Sequence, residues 1–355
     1  MTVHIYSSFA AGDDAWDGQT PTHDVGPPEH GPKKHLNAAK ALIPNPVEDE
    51  YIIHVAGDTA NPGNYVYIDG TDVVLDFSDL DMTHPAARIT VMPYIAALAP
   101  DGFDNTAYNS GTESPDGGPA WNVAGTKPFT MPQVIAGKNN KITLVGARVL
   151  QTATNKPAII VRDMADLAAA YCRIEGGYAG VRVSSANAGI ENTYITEAEF
   201  GVFVEAGGQA ALLGRNILHE NSTCGIRGRL RSSVVVCAWP MKPLLKYQTT
   251  ISTAAPKGNY AAVGLEHDSS LLVLKSIPDE TTGGPDIPAA AELQILNATL
   301  AKSAAYYGIV LTTRSLLVGA NQVRFNDEAI NQGKDTVPDG AKIVRARGQG
   351  STIVR

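Results

Sequence analysis

The sequence predicts an all-β fold, a single-stranded right-handed parallel β-helix whose coils are about 21 to 24 residues long. Two observations predict it. Three glycines that each precede a β-branched residue recur at intervals of 21 and 24 residues: Gly180, Gly201 and Gly225. A second, apolar series recurs at intervals of 21 and 23 residues: Ile174, Ile195 and Leu218. Two series that share one period indicate repeats stacked on one another.

A coil of this length excludes a βαβ unit, which needs about 30 residues or more. It accommodates two or three short strands, which bury their apolar side chains only by stacking on neighbouring coils. The composition fits this fold, because 34 glycines and 22 prolines supply turns throughout a chain that is 44% hydrophobic and 18% charged.

Residues 1–50 are predicted to form an N-terminal cap. Within them, residues 32–42 place Leu36, Ala39 and Leu42 at helical spacing, which indicates a short amphipathic helix. Such a helix would cover the open end of the solenoid and keep its edge strand from pairing with another chain.

Residues 51–355 are predicted to form the β-helix. Short strands separated by Gly, Pro and Asp are expected near its start: 51–55, 65–68, 72–77 and 88–92. The last coils are expected in two segments: 308–318 and 350–354. Gly264 and Gly308 lie 44 residues apart, which we interpret as two coils of 22. Three stretches rich in turn-forming residues are predicted to be protruding loops: 100–128, 240–260 and 276–290.

Charge and hydropathy exclude two classes of partner. The net charge is −8 and the Lys and Arg residues are scattered, whereas nucleic-acid binding needs them clustered. No segment reaches the roughly 18 apolar residues of a membrane span, so no membrane insertion is expected. The cysteines Cys172, Cys224 and Cys237 have apolar neighbours and no zinc-ligand spacing, which predicts buried free thiols.

No metal site and no cofactor is predicted. His23, His30 and His35 fall in one Pro-rich stretch, but their spacing matches no helical zinc motif. The Asp-rich segment 12–18 lacks the distal bidentate Glu of a calcium loop. A tight turn of Asp and Gly explains that segment better.

The candidate catalytic residues belong to a predicted carboxylate ladder. Equivalent residues of stacked coils lie about 4.8 Å apart, and the ladder is predicted to run through Glu175, Glu197 and Glu220, with His219 and Arg215 beside it. Carboxyl groups one coil apart suit a retaining glycosidase, and groups two coils apart suit an inverting one. Glu197, Glu220 and His219 are therefore the catalytic candidates. The alternative is a solvated face of glutamates without catalysis.

A neighbouring column contains Arg182, Phe203 and Arg227. Guanidinium groups at coil spacing can clamp the carboxylates of an acidic polysaccharide, and a phenyl ring can stack on a sugar. The predicted ligand-binding set comprises five residues: Glu175, Arg182, Phe203, Arg215 and Arg227. In the alternative interpretation each Arg pairs with a Glu of another coil and lies over an aromatic ring, which stabilises the surface without activity.

Four segments near the start of the chain follow a characteristic order: Gly-Asp-Asp-Ala-Trp-Asp-Gly at 12–18, Lys-Ala-Leu at 40–42, Tyr-Ile-Ile-His-Val at 51–55 and Asn-Pro-Gly-Asn-Tyr at 61–65. They resemble the entry of the pectate-lyase-like right-handed parallel β-helix superfamily, in which a short helix precedes the first coil. The Gly-His-Gly and Asn-Thr-Asp motifs of polygalacturonases are missing, as is the Gln-Asp-Thr motif of pectin methylesterases. The resemblance therefore implies the fold and does not support pectin chemistry.

Within that superfamily the chain is closest in character to bacteriophage tailspike and tail-fibre proteins. Its first eleven residues lack the pattern of a signal peptide, which suits a virion or extracellular-particle protein assembled in the host cytoplasm. The resemblance implies a structural, glycan-contacting protein of a phage tail or tail-like particle. The implied partners are cell-surface polysaccharide, two further copies in a homotrimer, and other tail or particle proteins.

Two other functions remain open from the sequence. One is a polysaccharide lyase or glycoside hydrolase that acts on a cell-surface glycan. The other is a purely architectural filament or baseplate protein with no ligand. Cleavage of a glycan separates the enzyme from the other two functions, and glycan binding separates those two from each other.

Overall fold

The structure is a computed structural model that is all-β apart from one short helix. It describes residues 1–8, 11–24, 29–56, 74–94, 129–214, 216–237, 249–252, 261–274, 293–296, 307–319, 323–326, 344–347 and 350–354. Among these, no helix has both the length and the apolar character needed to cross a membrane.

The elements, in chain order, are β1 Thr2–Ser7, α1 Leu36–Lys40, β2 Glu50–Ala56, β3 Val74–Asp76, β4 Arg88–Tyr94, β5 Phe129–Met131, β6 Gln133–Ala136, β7 Lys141–Val145, β8 Ala147–Gln151, β9 Ile159–Arg162, β10 Asp166–Ala170, β11 Arg173–Gly176, β12 Ala179–Ser184, β13 Asn187–Glu191, β14 Tyr194–Thr196, β15 Phe200–Glu205, β16 Gln209–Leu213, β17 Ile217–His219, β18 Cys224–Gly228, β19 Ser233–Cys237, β20 Thr249–Ser252, β21 Ala261–Leu265, β22 Ser270–Leu274, β23 Leu293–Leu296, β24 Tyr307–Thr312, β25 Leu316–Val318, β26 Val323–Asn326, β27 Val344–Arg347 and β28 Thr352–Val354.

The chain divides into two compact units. Unit 1 comprises Met1–Gln151 and Ala158–Arg173, and unit 2 comprises Thr152–Pro157 and Ile174–Arg355. In each unit the strands belong in rotation to three parallel sheets, and from β3 onward in unit 1 a strand pairs with the one three places later. This is the predicted right-handed parallel β-helix, in which every crossover turns the same way.

The main sheet of unit 1 has the order β1-β2-β4-β7-β10. Its register stacks Ile5 on Ile53 and Ile53 on Val91, and all three side chains are buried. This sheet begins at Thr2, inside the segment that the sequence analysis assigned to the cap.

The predicted helix is present but shorter than the segment 32–42. Leu36 and Ala39 are fully buried, and α1 contacts β1, the first strand of the sheet. The prediction that Leu42 continues the apolar side of this helix is wrong. Leu42 lies beyond the last helical residue and is 38% exposed, because a helix that ends at Lys40 does not continue the spacing.

Two aspartates organise the segment between β1 and α1. Asp14 Oδ1 accepts hydrogen bonds from the backbone N–H groups of Lys34 and His35, at 3.0 and 2.9 Å, and the His35 ring contacts Oδ2. Asp17 is paired in the same way with the His30 ring. Asp13 accepts from the backbone N–H of Ala15 at 2.9 Å, which confirms the predicted tight turn.

Acidification is expected to destabilise the segment between β1 and α1. Burial opposes ionisation of Asp14, but the hydrogen bonds from His35 outweigh burial and lower the pKa of Asp14 below its ordinary 3.8. Burial also opposes ionisation of Asp17, and the hydrogen bonds from Gln19, His30 and Gly31 lower its pKa. Because both folded pKa values are depressed, the stabilisation is present above the unfolded value and is lost as the pH falls through the lower folded value.

Hydrogen–deuterium exchange of residues 11–24 and 29–35 measures this loss. Protection, corrected for the intrinsic exchange rate, should be high at about pH 5 and should be lost as the pH falls below the ordinary carboxyl pKa of 3.8, through the lower folded pKa values of Asp14 and Asp17. The D14N/D17N variant should show the low protection already at neutral pH. Equal protection at both ends of the range would contradict the role of these carboxylates.

The central coils of unit 2 confirm both predicted series. Ala179 pairs with Phe200 and Phe200 with Cys224, so the glycines that follow them are aligned at intervals of 21 and 24 residues. Ile195 pairs with Leu218, which in turn pairs with Ile251, and all three are completely buried. Side chains at these positions form the core because coils stack in register.

The later coils are longer than predicted. Gly264 pairs with Val310, so a single coil of 46 residues separates β21 from β24. The interpretation of Gly264 and Gly308 as two coils apart is therefore wrong. Only the strands of a β-helix must stack, and the connections between them can lengthen without changing the pairing.

One of the three predicted loops is wrong in part. Within 240–260, residues Thr249–Ser252 form β20, which pairs with β17 and buries Ile251. The β-branched Thr-Thr-Ile sequence favours a strand there. The rest of that loop, the loops 100–128 and 276–290, and the strand predicted at 65–68 lie outside the described residues.

The cysteine prediction holds for two of the three thiols. Cys172 and Cys224 are buried, and burial raises the pKa of each to about 12. The prediction of burial is wrong for Cys237, which is only half-buried at the end of β19. None of the three is in a disulfide.

Candidate functional site

The strand register places three of the predicted binding residues in one column. Arg182 of β12 pairs with Phe203 of β15, and Phe203 pairs with Arg227 of β18. The next residue of the column is Gly264, where a Cβ atom would lie 3.4 Å from Cδ and Nη1 of Arg227. The absent side chain at Gly264 thus leaves room for the Arg227 guanidinium.

Both arginines of the column are paired with glutamates of the following coil. Arg182 donates to Glu205 Oε1 through Nε, at 2.8 Å, and through Nη2. Arg229 Nε lies 3.9 Å from the other Glu205 oxygen. Arg227 donates to Glu266, and its guanidinium carbon lies 6.0 Å from the centre of the Phe200 ring. This arrangement matches the alternative interpretation of paired charges over an aromatic ring.

Phe203 does not present its ring to solvent, which corrects its predicted role in stacking on a sugar. It is 3% exposed and packs with Ala179, Phe200 and Cys224. The Phe200 ring centre lies 5.3 Å away, and the Tyr178 ring meets Phe203 edge-on at 6.0 Å. These neighbours cover the ring that the periodicity places on the outer face.

Tyr178 is the half-buried aromatic residue of this cluster. Burial raises the pKa of its hydroxyl, and the charge of Glu199 raises it further. The hydroxyl is therefore a neutral group at physiological pH, able both to donate and to accept a hydrogen bond. Tyr178, together with the partly exposed Arg182 and Arg227, forms the part of this surface that a ligand can reach.

The predicted carboxylate ladder is reduced to two residues. Glu197 and Glu220 each follow one member of the register pair Thr196 and His219, so they occupy equivalent places in consecutive coils. Both have left-handed backbone conformations, with φ of 59° and 51°, and both are exposed.

Glu175 does not belong to this ladder and is 3% exposed. It lies inside β11, and the left-handed corner position is taken by Gly176, with φ of 77°. A slip of one residue in a strand moves a side chain to the other face, which explains the difference in exposure. Arg215, which the sequence analysis placed beside the ladder, lies outside the described residues.

His219 contacts Glu220 of its own coil and Tyr194 of the preceding coil. Its Nε2 atom lies 3.3 Å from Glu220 Oε1, and its ring centre lies 6.0 Å from that of the buried Tyr194. An imidazole, the carboxylate that follows it and the equivalent carboxylate of the preceding coil can exchange protons with a bound sugar or accept hydrogen bonds from its hydroxyls. In the part of the chain that the structure describes, no three His, Cys, Asp or Glu side chains are grouped to hold a metal ion.

Glu205, Glu266 and Tyr178 were not predicted as site residues from the sequence. Glu205 had a usable signal, since it lies 23 residues after Arg182, one coil of 21 plus two residues along the strand. Glu266 lies 39 residues after Arg227, in a coil lengthened by insertion, and its spacing carried no such signal.

Comparison with known proteins found no matching family model, no matching curated protein and no matching solved structure. The parallel β-helix fold therefore rests on the strand pairing of this chain.

Proposed function

We propose that this chain is a structural, glycan-contacting β-helix protein of a phage tail or tail-like particle. The observation that carries the proposal is the pair of exposed carboxylates Glu197 and Glu220, at equivalent positions of consecutive coils. The half-buried Tyr178 phenol, in the cluster of Phe200 and Phe203, adds a further polar group. Exposed carboxylates on adjacent coils accept hydrogen bonds from sugar hydroxyls, and the phenol both donates and accepts them. The ion pairs Arg182–Glu205 and Arg227–Glu266 join consecutive coils on the sheet of β12, β15 and β18.

Pairing of the arginines supports a binding surface that also has a structural role. Arg182 is bound by Glu205, and Arg227 by Glu266, so each guanidinium is largely neutralised before any ligand arrives. A strongly acidic polymer would have to compete with these carboxylates. A neutral or weakly acidic surface polysaccharide, recognised mainly through its hydroxyl groups, fits the surface better.

A second function, glycan cleavage, is favoured by one specific observation. Glu197 and Glu220 occupy equivalent positions one coil apart, and His219 contacts the second carboxylate. One coil corresponds to about 4.8 Å, close to the roughly 5 to 5.5 Å that separates the carboxyl groups of retaining glycosidases. We therefore design the test to detect binding and cleavage separately.

The test exposes the purified full chain to a panel of bacterial capsular and lipopolysaccharide glycans. We expect at least one glycan to bind, with no release of reducing or unsaturated ends. Glu197→Gln combined with Glu220→Gln should weaken binding at least about tenfold, equivalent to about 1.4 kcal/mol. The matched control is Glu48→Gln, which removes an exposed carboxylate in unit 1 and should leave binding unchanged.

Each other result selects a different function. New sugar ends that disappear in the E220Q variant would make the protein a depolymerase. Neither binding nor cleavage with any glycan would overturn glycan contact and leave the purely architectural role.

A further inference from the structure

Two histidines on neighbouring strands of unit 1 form a hydrogen-bonded pair. His4 lies on β1 and His54 on β2, and His4 Nδ1 lies 2.9 Å from His54 Nε2 although 50 residues separate them along the chain. Their neighbours Ile5 and Ile53 are buried in the core, so both imidazoles point to the opposite side of the sheet. We call His4 and His54 the histidine pair. It belongs to unit 1, whereas the proposed glycan-binding carboxylates belong to unit 2.

Ring stacking fixes the position of His54. The register places Tyr6 opposite His54, and the two rings stack with their centres 5.0 Å apart and their planes 17° apart. The His4 ring stacks on His54 with the centres 5.2 Å apart. His54 is 2% exposed, and Met92, its register partner on β4, is also buried. His54 is therefore held between its two neighbouring strands, whereas the half-buried His4 is within reach of solvent.

The hydrogen bond of the histidine pair consists of one proton between two ring nitrogens. A neutral imidazole has one N–H donor and one nitrogen lone pair. If the shared proton moves to the far nitrogen of its own ring, both facing nitrogens have lone pairs and both rings stay neutral. Neutral imidazole is the commonest metal ligand in proteins. The histidine pair can therefore exchange its shared proton for a metal ion.

The spacing of the two facing nitrogens favours particular metal ions. Two ligands about 2.0 Å from a metal lie about 2.8 Å apart at a right angle and about 3.3 Å apart in a tetrahedron. The observed 2.9 Å is close to the right-angle value. Right angles between ligands are found in the square-planar and tetragonal sites of Cu(II) and Ni(II), and Cu(II) binds most tightly of the divalent first-row metals. Geometry and affinity both favour Cu(II).

We propose that the histidine pair is a binding site for a divalent late transition metal, with Cu(II) bound best. In the part of the chain that the structure describes, no three His, Cys, Asp or Glu side chains are grouped to hold a metal, so water completes the coordination. Two protein ligands are fewer than the three or four of zinc sites. Binding should therefore be exchangeable, with a dissociation constant in the micromolar range. Positions 4 and 54 form no motif along the sequence, and only the strand register brings them together.

A metal ion held by the histidine pair would link the first two strands of the sheet. β1 lies at one end of the strand order and is paired with β2. A link between residues 50 apart removes chain entropy from the state in which β1 has separated, and so opposes that separation. The site would stabilise β1 whether or not the protein contacts a glycan, so this inference and the proposed function can fail independently.

Calorimetric titration of the metal-free full chain with Cu(II) chloride tests the site. We expect the wild-type protein to bind one ion per chain most tightly, with micromolar affinity. His4→Gln should weaken this binding at least about tenfold, because glutamine can hydrogen-bond His54 but supplies no imidazole nitrogen. The matched control is His267→Asn, which removes an exposed histidine of unit 2 and should bind Cu(II) as wild type. Equal affinities of the wild type and H4Q would overturn the proposal.

Pulsed electron paramagnetic resonance counts the imidazole ligands of bound Cu(II) in the wild-type chain, and this test needs no variant to fold. Two imidazoles are expected, and a single one would overturn the site. His54→Gln should bind as weakly as His4→Gln, whereas wild-type affinity would show that His4 binds the ion without His54.

Hydrogen–deuterium exchange measures the link between the strands. Added Cu(II) should slow exchange of the backbone amides of β1 in the wild type and not in H4Q. Unchanged exchange of β1 in the Cu(II)-bound wild type would overturn the stabilisation of this strand.

Discussion

Replacing Asn216 with leucine is expected to lower the free energy of unfolding by about 3 to 5 kcal/mol. The Asn216 side chain is completely buried, and it bonds the backbones of two consecutive coils. Its Oδ1 accepts from Thr193 N at 3.0 Å, and its Nδ2 donates to the carbonyls of Ile190 and Leu213, at 3.1 and 2.9 Å. Leucine has a similar volume but leaves these backbone groups without a side-chain partner, at about 1 to 3 kcal/mol for each group left unsatisfied.

Urea unfolding followed by far-UV circular dichroism measures the loss. The control is Gln209→Ala, which truncates an exposed amide on β16 and should change stability by less than about 0.5 kcal/mol. N216D keeps the acceptor but loses both donors, so it should be destabilised at neutral pH. It should recover partly in acid, because burial raises the pKa of the introduced carboxyl in the folded state. A loss below about 1 kcal/mol for N216L would contradict this role of the amide.

Buried asparagines of this kind could not be predicted from the sequence. Asn221 bonds two coils in the same manner, since it accepts from Ala198 N at 3.2 Å and donates to Ile195 O at 3.2 Å. Nothing in their spacing separates Asn216 and Asn221 from asparagines at the surface. Their burial follows from the corners of the coil, where backbone groups turn away from the sheets and need side-chain partners.

The predictable part of the fold is the part with short connections. Between Ile174 and Gly228 the coils differ in length by only a few residues, at 21 to 24, so the glycine and isoleucine spacings follow the register of the sheets. Beyond Gly228 the coils lengthen to 37 and 46 residues, and a spacing of 44 no longer reports the number of coils. The sequence pattern measures distance along the chain, whereas strand pairing depends on position in the coil.

The candidate site was predictable to the same extent. The column of Arg182, Phe203 and Arg227 follows from register alone and is present. The ladder failed at Glu175, because it lies 22 residues before Glu197 whereas Ile174 and Ile195 are 21 apart. A difference of one residue is enough to exchange an exposed position for a buried one. Covering of Phe203 by Phe200 of its own strand and by Tyr178 of the preceding coil depends on side-chain packing, which periodicity does not describe.

Gly201→Ala is expected to destabilise the protein by about 2 to 3 kcal/mol, because the glycine column leaves no room for a methyl group. A Cβ at Gly201 would lie 2.6 Å from the backbone oxygen of Gly225 and 3.0 Å from Leu218 Cδ2. The carbonyl belongs to the next coil and cannot move without disturbing the pairing of β15 with β18. Loss of stability in urea, with unchanged circular dichroism of the folded state, is the expected result.

The matched control, Gly189→Ala, should have the opposite sign. Gly189 lies in a neighbouring strand, β13, and a Cβ there would meet no atom within 4 Å. Because alanine restricts the unfolded chain more than glycine does, G189A should be more stable by about 0.4 to 1 kcal/mol. Equal effects of the two substitutions would mean that chain entropy, and not coil packing, decides where glycine is needed. Opposite effects would tie the 21- and 24-residue recurrence of Gly180, Gly201 and Gly225 to the close approach of stacked coils.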